Sequence, residues 1–503
     1  MTARRWWKPS TWLAAAAVPA PAPRPLLGVT SLKARRATQM RYDGARVDHL
    51  LGGWVAGSGD AASESAPDLA RLRNRAREGE RNRALMVRAL EVLETAVVGA
   101  VGARPLFETG DARTNKQLAD LWRDWCTEAS ASDRLRFEGL TALALRSMVR
   151  DGEALARIRT RRLTDVTTVP IQLEVLEADF LATEKSGELA NGAGRIINGV
   201  ETDAIGRIVA YWIHRRHPGD YLAGGGLEPA RVPAEAVVHT YRTTRAGQRR
   251  GVSWFAPVLD AAFHHTELRR SERVRFRASA SVFATVEGAD DETDDGIVPS
   301  EPQDGEQAGP SGYVEDGDGN PVNNLAPGGI LNVTHGKALK LHQPAAAVGY
   351  GEAIVVEERD IARGLWLMYE ALSGDLSQVN WASFRVGDVR FRKFVDFIRS
   401  QILEPLFLAP IMRAWLDAAQ ASGRVRPLAS VSVRWRWAPH EEMDRESTAQ
   451  ANRAELENGT VTFEQLCESL GTTMDEQIAS AERSQEALSR AGLRLAWQSQ
   501  ASQ

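Results

Sequence analysis

The chain has 503 residues, of which 43% are hydrophobic and 25% charged, and its formal net charge is −4. A chain of this length can form about three or four domains with a sizeable core. So small a net charge argues against a protein whose main task is tight, non-specific adhesion to nucleic acid. The two cysteines, Cys126 and Cys467, lie far apart, which favours free thiols over a disulfide framework without excluding one bridge.

Residues 1–65 predict an N-terminal arm that is partly disordered. Prolines stand at every second position from Pro19 to Pro25, and small residues predominate from Gly52 to Ser65. The apolar run Ala14 to Ala17 is short and is soon followed by proline, which disfavours a signal peptide. No apolar run reaches about 18 residues, so no transmembrane helix is expected.

Predicted helices precede predicted strands in the next part of the chain. An apolar period near 3.6 residues predicts helices over 68–101, 115–128 and 133–151. The pattern then changes to short β-type runs, of which Ile208 to Ile213 is the clearest. The predicted strands cover residues 153–162, 172–176, 200–203, 207–215 and 237–241. Helices followed by strands are typical of an α+β domain.

A second helical part begins at Pro257, where the first turn of a helix tolerates proline, and continues to about Ser281. Residues 287–306 then carry nine acidic side chains and no Lys or Arg, which predicts a flexible acidic loop. Two short strands are predicted to close this region, over residues 329–333 and 339–342.

The remainder of the chain is predicted to be mainly helical. Helices are expected over 351–372 and 386–419, the second with bends at Pro405 and Pro410. Strict alternation over 430–437 predicts a half-buried strand. The stretch 441–493 is helical and polar, with a turn at Asn458-Gly-Thr460.

The sequence contains none of the common catalytic motifs. A phosphate-binding Gly-x-x-x-x-Gly-Lys-Ser/Thr loop, His-Glu-x-x-His, Cys-x-x-Cys and Gly-x-Ser-x-Gly are all absent. His264 and His265 are adjacent, so on a helix they point about 100° apart and do not form a shared metal site. We therefore expect no catalytic residue, no cofactor and no metal, and interpret the chain as a protein that is not an enzyme.

Two groups of arginines are candidate interaction sites. Seven arginines between Arg71 and Arg88 could contact phosphate, although a solvated helix face paired with a neighbouring subunit is favoured. Arg269, Arg273 and Arg277 recur every fourth residue, with Arg270 beside this stripe. Such a stripe could contact DNA or pair with acids of another subunit, and the sequence leaves both open.

The segment between the helices predicted over 351–372 and 386–419 is the third candidate. It is small, polar and mostly uncharged, so it could touch a phosphate backbone without holding it tightly. The alternative is a plain helix connection with Trp381 in the core. The candidate residues are Ser377, Gln378, Asn380, Trp381, Ser383 and Arg385.

Several short motifs occur in an order that resembles the portal (head–tail connector) proteins of lambda-like tailed bacteriophages. They are Asp151-Gly-Glu153, Glu177-Ala-Asp179, Asn198-Gly-Val200, the Gly-Gln-x-Arg-Gly element within Arg245 to Gly251, and further elements at Pro327 to Leu341, Ser377 to Arg385 and Trp435 to Thr460. The likeness covers residues from about 70 to 493. The family often has Tyr and Ser-Ser in the loop where this chain has Trp381, Ala382 and Ser383.

The resemblance implies an α+β, predominantly helical portal fold that forms rings and consists of a wing, a stem, a clip and a crown. The N-terminal arm precedes these parts, and a tunnel loop follows the stem. The implied segments are the arm at 1–65, the wing at 66–255, stem helix 1 at 256–284, the clip with its acidic loop at 285–350, stem helix 2 at 351–374, the tunnel loop at 375–388, a long wing helix and returning strand at 389–440, and the crown at 441–503.

The resemblance also implies a function as the ring-shaped channel at one capsid vertex, used for genome packaging, retention and ejection. The implied partners are about twelve copies of the chain itself, double-stranded DNA, the terminase large subunit, capsid and scaffold proteins, and head-completion and tail proteins, with no membrane. The location would be the virion, after assembly in the host cytoplasm. The alternative is another phage protein that binds DNA, or a metal-dependent nuclease using Asp290, Asp291, Asp294 and Asp295.

Overall fold

The structure is a computed structural model that describes residues 57–220, 228–280, 284–287, 314–315, 321–322, 338–341, 349–442 and 444–491. The chain divides into two units, residues 1–59 and residues 60–503. Of the first unit only residues 57–59 are described, so most of the predicted arm and most of the acidic loop at 287–306 lie outside the described residues. The fold below is that of the second unit.

The first helices form a layer beside the central sheet. They are α1 (Ala61–Ser65), α2 (Leu69–Asn82), α3 (Ala84–Val97), α4 (Ala112–Glu128) and α5 (Phe137–Asp151), with strand β1 (Arg104–Glu108) between α3 and α4. The sequence predicted one helix over 68–101, but Arg83 is extended and divides it into two. The predicted arm also ends earlier than residue 65, because Ala61 and Ala62 are buried in α1.

The described strands form two larger antiparallel sheets and three two-stranded pairs. The central sheet has the order β3-β2-β9, with β2 (Glu153–Thr160), β3 (Ile171–Leu176) and β9 (Val237–Tyr241). A five-stranded meander follows the chain from β4 to β8: β4 (Gly187–Glu188), β5 (Gly194–Ile197), β6 (Val200–Asp203), β7 (Ile208–Ile213) and β8 (Ala230–Pro233). Strands β1, β4, β5 and β8 were not predicted.

The next helix is α6 (Leu259–Ala280), and it is shorter than the helix predicted over 256–284 because residues 284–287 form a strand. That strand is β10 (Ala284–Glu287), which pairs antiparallel with β13 (Ala338–Leu341). A further pair joins β11 (Val314–Glu315) and β12 (Pro321–Val322). The strand predicted over 339–342 overlaps β13, whereas the one over 329–333 lies outside the described residues.

The helix predicted over 351–374 is two helices, α7 (Tyr350–Gly364) and α8 (Tyr369–Ser373). Trp366 lies between them with φ +61°, a left-handed conformation that an α-helix cannot continue through. The following helix, α9 (Trp381–Ile398), begins inside the loop predicted over 375–388. Residues Trp381 to Asp388 are therefore helical.

Helix α9 continues through a π-helical segment, Arg399–Leu408, into α10 (Ala409–Ala421). Pro405, where a bend was predicted, lies within the π segment, and Pro410 lies in the first turn of α10. Proline lacks the N–H that a regular helix would use, and π-type bonding accommodates such an interruption. Arg399 donates to the carbonyls of Val97 (2.8 Å) and Ala96 (3.0 Å), which fixes this segment to the end of α3.

The main core lies between the helical layer and the central sheet, and aromatic rings dominate its centre. Trp122 of α4 meets Trp415 of α10 edge-on, with ring centroids 5.2 Å apart, and Phe137 of α5 at 5.1 Å. Strand β14 (Ser432–Arg436) returns to pair antiparallel with β1, with Phe107 opposite Val433. The last helices are α11 (Arg445–Glu457), α12 (Phe463–Ser469) and α13 (Met474–Arg490), of whose residues only Cys467 is buried.

Both cysteines, Cys126 and Cys467, are buried free thiols. Burial raises the pKa of the Cys126 thiol well above its usual range, so this side chain remains protonated at neutral pH. No described helix combines the length and apolar character needed to cross a membrane.

Candidate interface surfaces and the buried network behind them

A buried network of ion pairs forms where α5 passes into β2. Glu153, fully buried, accepts hydrogen bonds from Arg250 Nε (2.8 Å), the Gly251 amide (2.9 Å) and His239 Nε2 (2.9 Å). Burial alone would raise the pKa of Glu153, but Arg250 and His239 outweigh burial and hold the pKa well below its usual range. Glu153 is therefore a carboxylate that is charged at neutral pH although it is buried inside the protein.

Arg250 connects four of the motifs seen in the sequence. Besides Glu153, its guanidinium donates to the carbonyls of Asn198 (2.9 Å) and Ala178 (3.2 Å) and to the Thr183 hydroxyl (3.0 Å). The segments Asp151-Gly-Glu153, Glu177-Ala-Asp179, Asn198-Gly-Val200 and Arg245 to Gly251 thus meet at one side chain. The sequence analysis used them only as separate motifs of the family resemblance. The opposite charges of Glu153 and Arg250 could have suggested an ion pair between two of them.

Two glycines make this meeting possible. A Cβ on Gly251 would lie 2.0 Å from the Gly152 carbonyl oxygen, and a Cβ on Gly152 would lie 2.4 Å from the Val252 carbonyl carbon. Such distances are far inside van der Waals contact, so the two backbone segments can touch only as glycines. Gln248 then holds the turn, because its amide accepts from the Thr244 N–H (2.9 Å) and donates to the Arg250 carbonyl (2.8 Å).

The arginines of α2 belong to the same network. Arg77 makes a bidentate bond to Asp151 (2.9 and 3.0 Å) and Arg73 lies 3.3 Å from Asp179. Both interpretations of this cluster, phosphate contact or pairing with a neighbouring subunit, are therefore wrong for Arg73 and Arg77, whose partners are in their own chain. Arg71, Arg75, Arg81 and Arg88 remain exposed.

Glu177, Asp179 and His217 place one ligand atom each within 4.8 Å of one another. Arg77 Nη2 lies 2.5 Å from Asp179 Oδ2 and 3.4 Å from Glu177 Oε2. Burial raises the pKa of Asp179, but Arg73 and Arg77 outweigh burial and lower it. Because arginines already neutralise these carboxylates, the group is better explained as an ion-pair network than as a metal site.

Helices α6 and α7 pack as a pair, and His265 joins them through a 3.1 Å contact to Glu358. His265 is buried, whereas His264 is exposed, so the two histidines serve no common site. The predicted stripe of Arg269, Arg270, Arg273 and Arg277 is exposed along α6. Val274 and Phe276 on the same helix are 58% and 60% exposed, an apolar surface that a monomer leaves uncovered.

Three candidates of the third site, Ser377, Gln378 and Asn380, lie in the loop between α8 and α9, and the other three, Trp381, Ser383 and Arg385, lie at the start of α9. Ser377, Gln378, Asn380, Trp381, Ser383 and Arg385 are all exposed. Trp381 is 56% exposed, so the alternative that placed it in the core is wrong. Asn380 caps α9, because its side-chain oxygen accepts from the Ala382 N–H (2.9 Å).

Two comparisons of the sequence with known proteins give matches of the same kind. The family model "Phage portal protein, lambda family" matches residues 48–399. A "Probable portal protein" of Halomonas phage phiHAP-1 is 25% identical over 426 residues, which cover 80% of this chain and 79% of that protein.

Solved structures of the same kind are also similar. A chain from the virion of a native gene transfer agent particle has a TM-score of 0.45 at 13% identity and covers 84% of this chain and 98% of that chain. An HK97 family phage portal protein from Corynebacterium diphtheriae has a TM-score of 0.35 at 14% identity, covering 72% and 95%.

Proposed function

This chain belongs to the lambda family of phage portal proteins, and we propose that its copies close into a ring at one capsid vertex through which double-stranded DNA is packaged, retained and ejected. The observation that carries the proposal is the family match over residues 48–399. Twelve copies are proposed, following the resemblance seen in the sequence. The subunit then acts as a conduit, and its location is the virion after assembly in the host cytoplasm.

Exposed apolar side chains on the paired helices support a ring. Val274 of α6 and Val356 of α7 are 58% and 56% exposed, and contact with a neighbouring copy would remove them from water. A head-to-tail contact between identical subunits closes into a ring when the rotation between them closes. We propose that α6 and α7 are the helices of the stem and that residues 285–350 form the clip.

Two surfaces are proposed to face the channel. The stripe of Arg269, Arg270, Arg273 and Arg277 would repeat around the ring and attract phosphates or pair with acids of the next copy. The polar residues of the α8–α9 loop would touch the duplex with few cations. Few neutralised phosphates release few counterions, so DNA would slide without falling into deep energy minima.

The proposed partners follow from the same assembly. The terminase large subunit would dock during packaging and supply ATP hydrolysis, which fits the absence of a phosphate-binding loop from this sequence. Capsid or scaffold proteins would surround the ring, and head-completion and tail proteins would dock afterwards. The alternative of a metal-dependent nuclease has no specific observation in its favour, and its four aspartates lie outside the described residues.

The test is direct imaging of the purified full-length protein. Negative-stain electron microscopy is expected to show annular particles with a central hole wide enough for a duplex, and light scattering a mass of many subunits. A single-copy species at high concentration would overturn the proposal. Incubation with ATP is expected to leave the nucleotide intact, and incubation with duplex DNA and magnesium is expected to leave the DNA intact. Hydrolysis of ATP or of DNA by the protein alone would contradict a purely structural role.

A further inference from the structure

An open groove of about 610 Å³ lies between the α7–α8 turn and α9. Its floor is apolar and includes Trp366, Met368, Phe391 and Phe394, and the Trp366 and Phe394 rings stack with centroids 5.3 Å apart. Phe397 at its edge is 45% exposed. A groove of this kind exposes aromatic surface that association would bury.

The charged groups of the groove are all cations. Arg242, Arg390 and Lys393 line it together with no carboxylate. Within the described part of the chain, none of these three has an acidic side chain within 4.0 Å. The Arg242 guanidinium lies over the rings of Trp254, Trp366 and Phe394, at 5.5, 5.8 and 5.8 Å from their centroids. The rings hold the cation in place and leave its hydrogen-bond donors available to an incoming acid.

The α8–α9 loop has the complementary character. Leu376 is 65% exposed, Val379 36% and Trp381 56%, so three large apolar side chains project from one short segment. Asp375 beside them has no basic partner among the described residues. Ser377, Gln378 and Asn380 lie between these apolar positions and are also exposed, so the segment offers both apolar and polar side chains to a partner.

We propose that the α8–α9 loop of one copy docks into the Arg242 groove of the next copy, a contact that rests on the ring proposed above. Leu376 and Val379 would cover the aromatic floor, and Asp375 would meet the cations of the rim. The polar side chains of Ser377, Gln378 and Asn380 are then left facing the channel. The loop thus joins subunits and contacts DNA with different side chains.

Other occupants fit the groove less well. A DNA phosphate could pair with Arg390 and Lys393, but it would leave the aromatic floor uncovered. An acidic segment of another virion protein could match the groove, but it would not account for the exposed loop. The two surfaces belong to one chain and differ from each other, which is what a heterologous contact requires.

The test uses the full-length protein with the photo-crosslinking amino acid p-benzoylphenylalanine in place of Leu376. Irradiation is expected to give covalently linked pairs of chains in denaturing gels, with the link mapped by mass spectrometry to the groove between Met368 and Phe397. The matched control carries the same amino acid in place of Ile205, which is 75% exposed on the β6–β7 turn, and is expected not to link to the groove.

The outcomes separate this contact from the ring itself. Rings in the electron microscope whose Leu376 probe links only within its own chain, to another loop or to DNA would overturn the docking and leave the ring intact. A single-copy protein would instead overturn the proposed function.

A charge exchange gives a second, independent measurement. Asp375→Arg and Arg390→Glu are each expected to reduce the yield of linked pairs at least threefold, and the double variant is expected to restore it. Failure of the double variant to recover the yield, with rings still present, would overturn the contact between the loop and the groove.

Discussion

Arg250 and Glu153 form an ion pair in which both side chains are almost completely buried. An ion pair in the interior must repay a large desolvation cost, and it does so only when its remaining donors and acceptors are also bonded. Here the Arg250 guanidinium also donates to two backbone carbonyls and a hydroxyl. Removing one partner leaves the other charge buried without compensation.

The change Arg250→Met is therefore expected to lower the free energy of unfolding by about 3–5 kcal/mol. Urea denaturation followed by tryptophan fluorescence would measure it. The matched control is Arg245→Met, five residues earlier in the same turn, where the exposed pair with Glu64 is worth only about 0–1 kcal/mol. Equal losses in the two variants would show that the buried network does not determine stability.

The depressed pKa of Glu153 gives the protein a defined pH dependence. In the unfolded chain Glu153 has the ordinary glutamate pKa of about 4.3. In the folded chain its pKa is lower, so protonation requires a lower pH. The contribution of Glu153 is thus fully present above about pH 5 and is lost as the pH falls toward the folded-state pKa. Unfolding measured between pH 7 and 3 should show this decline.

The matched variant for the pH experiment is Glu153→Gln. It is expected to be less stable at pH 7 and to show a shallower decline with acid, because it has no carboxylate at this site. A decline as steep as that of the unsubstituted protein would assign the acid sensitivity to other groups.

At the scale of elements, the α8–α9 loop ends at Asn380, which caps helix α9, and does not extend to residue 388 as predicted. Asn380→Ala removes the cap and is expected to destabilise the first turn of α9 by about 1 kcal/mol. Hydrogen exchange of the Ala382 and Ser383 amides would measure it as a local increase in rate. Asn380→Asp retains a capping oxygen and should preserve most of the protection, and an equal increase in both variants would argue against the cap.

The C-terminal helices form an element that the rest of the fold does not need for its core. Helices α11 and α13 contain no buried residue, and α12 buries only Cys467. Ion pairs link α12 to β14 through Glu468 and Arg434, and α13 to β14 through Glu476 and Arg436. Removing residues 441–503 is therefore expected to leave a soluble, cooperatively unfolding protein. Circular dichroism with thermal unfolding would test this, and an insoluble product would show that the boundary is wrong.

For the whole molecule, assembly into a ring should raise the apparent thermal stability. A partner that binds only the folded chain raises its apparent stability by mass action, so the Tm of a ring-forming protein rises with protein concentration. We expect this rise over a hundredfold concentration range in scanning fluorimetry. Val274→Ser, on the exposed side of α6, should weaken the rise, whereas Ile205→Ser on the β6–β7 turn should not. A Tm independent of concentration would contradict assembly through α6.

Local sequence patterns were enough to predict the α+β class, most of the helices, the clearest strands and the arginine stripe on α6. Periodicity and turn residues act over a few positions, so these features can be inferred without a fold. The family resemblance followed from the order of short motifs and is confirmed by the family match. Local patterns could not place the start of α9 or the division of α2 from α3, because the extended backbone of single residues, Asn380 and Arg83, determines them.

Which residues distant in sequence contact each other is seen only in the tertiary structure. Arg250 lies 97 positions from Glu153, and the pairing depends on two glycines that let the Gly152 and Gly251 backbones touch. Likewise, the sequence predicted the polar loop but not the Arg242 groove. The residues that line the groove are spread from 242 to 397 and show no local pattern. Burial and charge compensation are properties of the packed chain, and they explain why some arginines of α2 are internal while those of α6 remain on the surface.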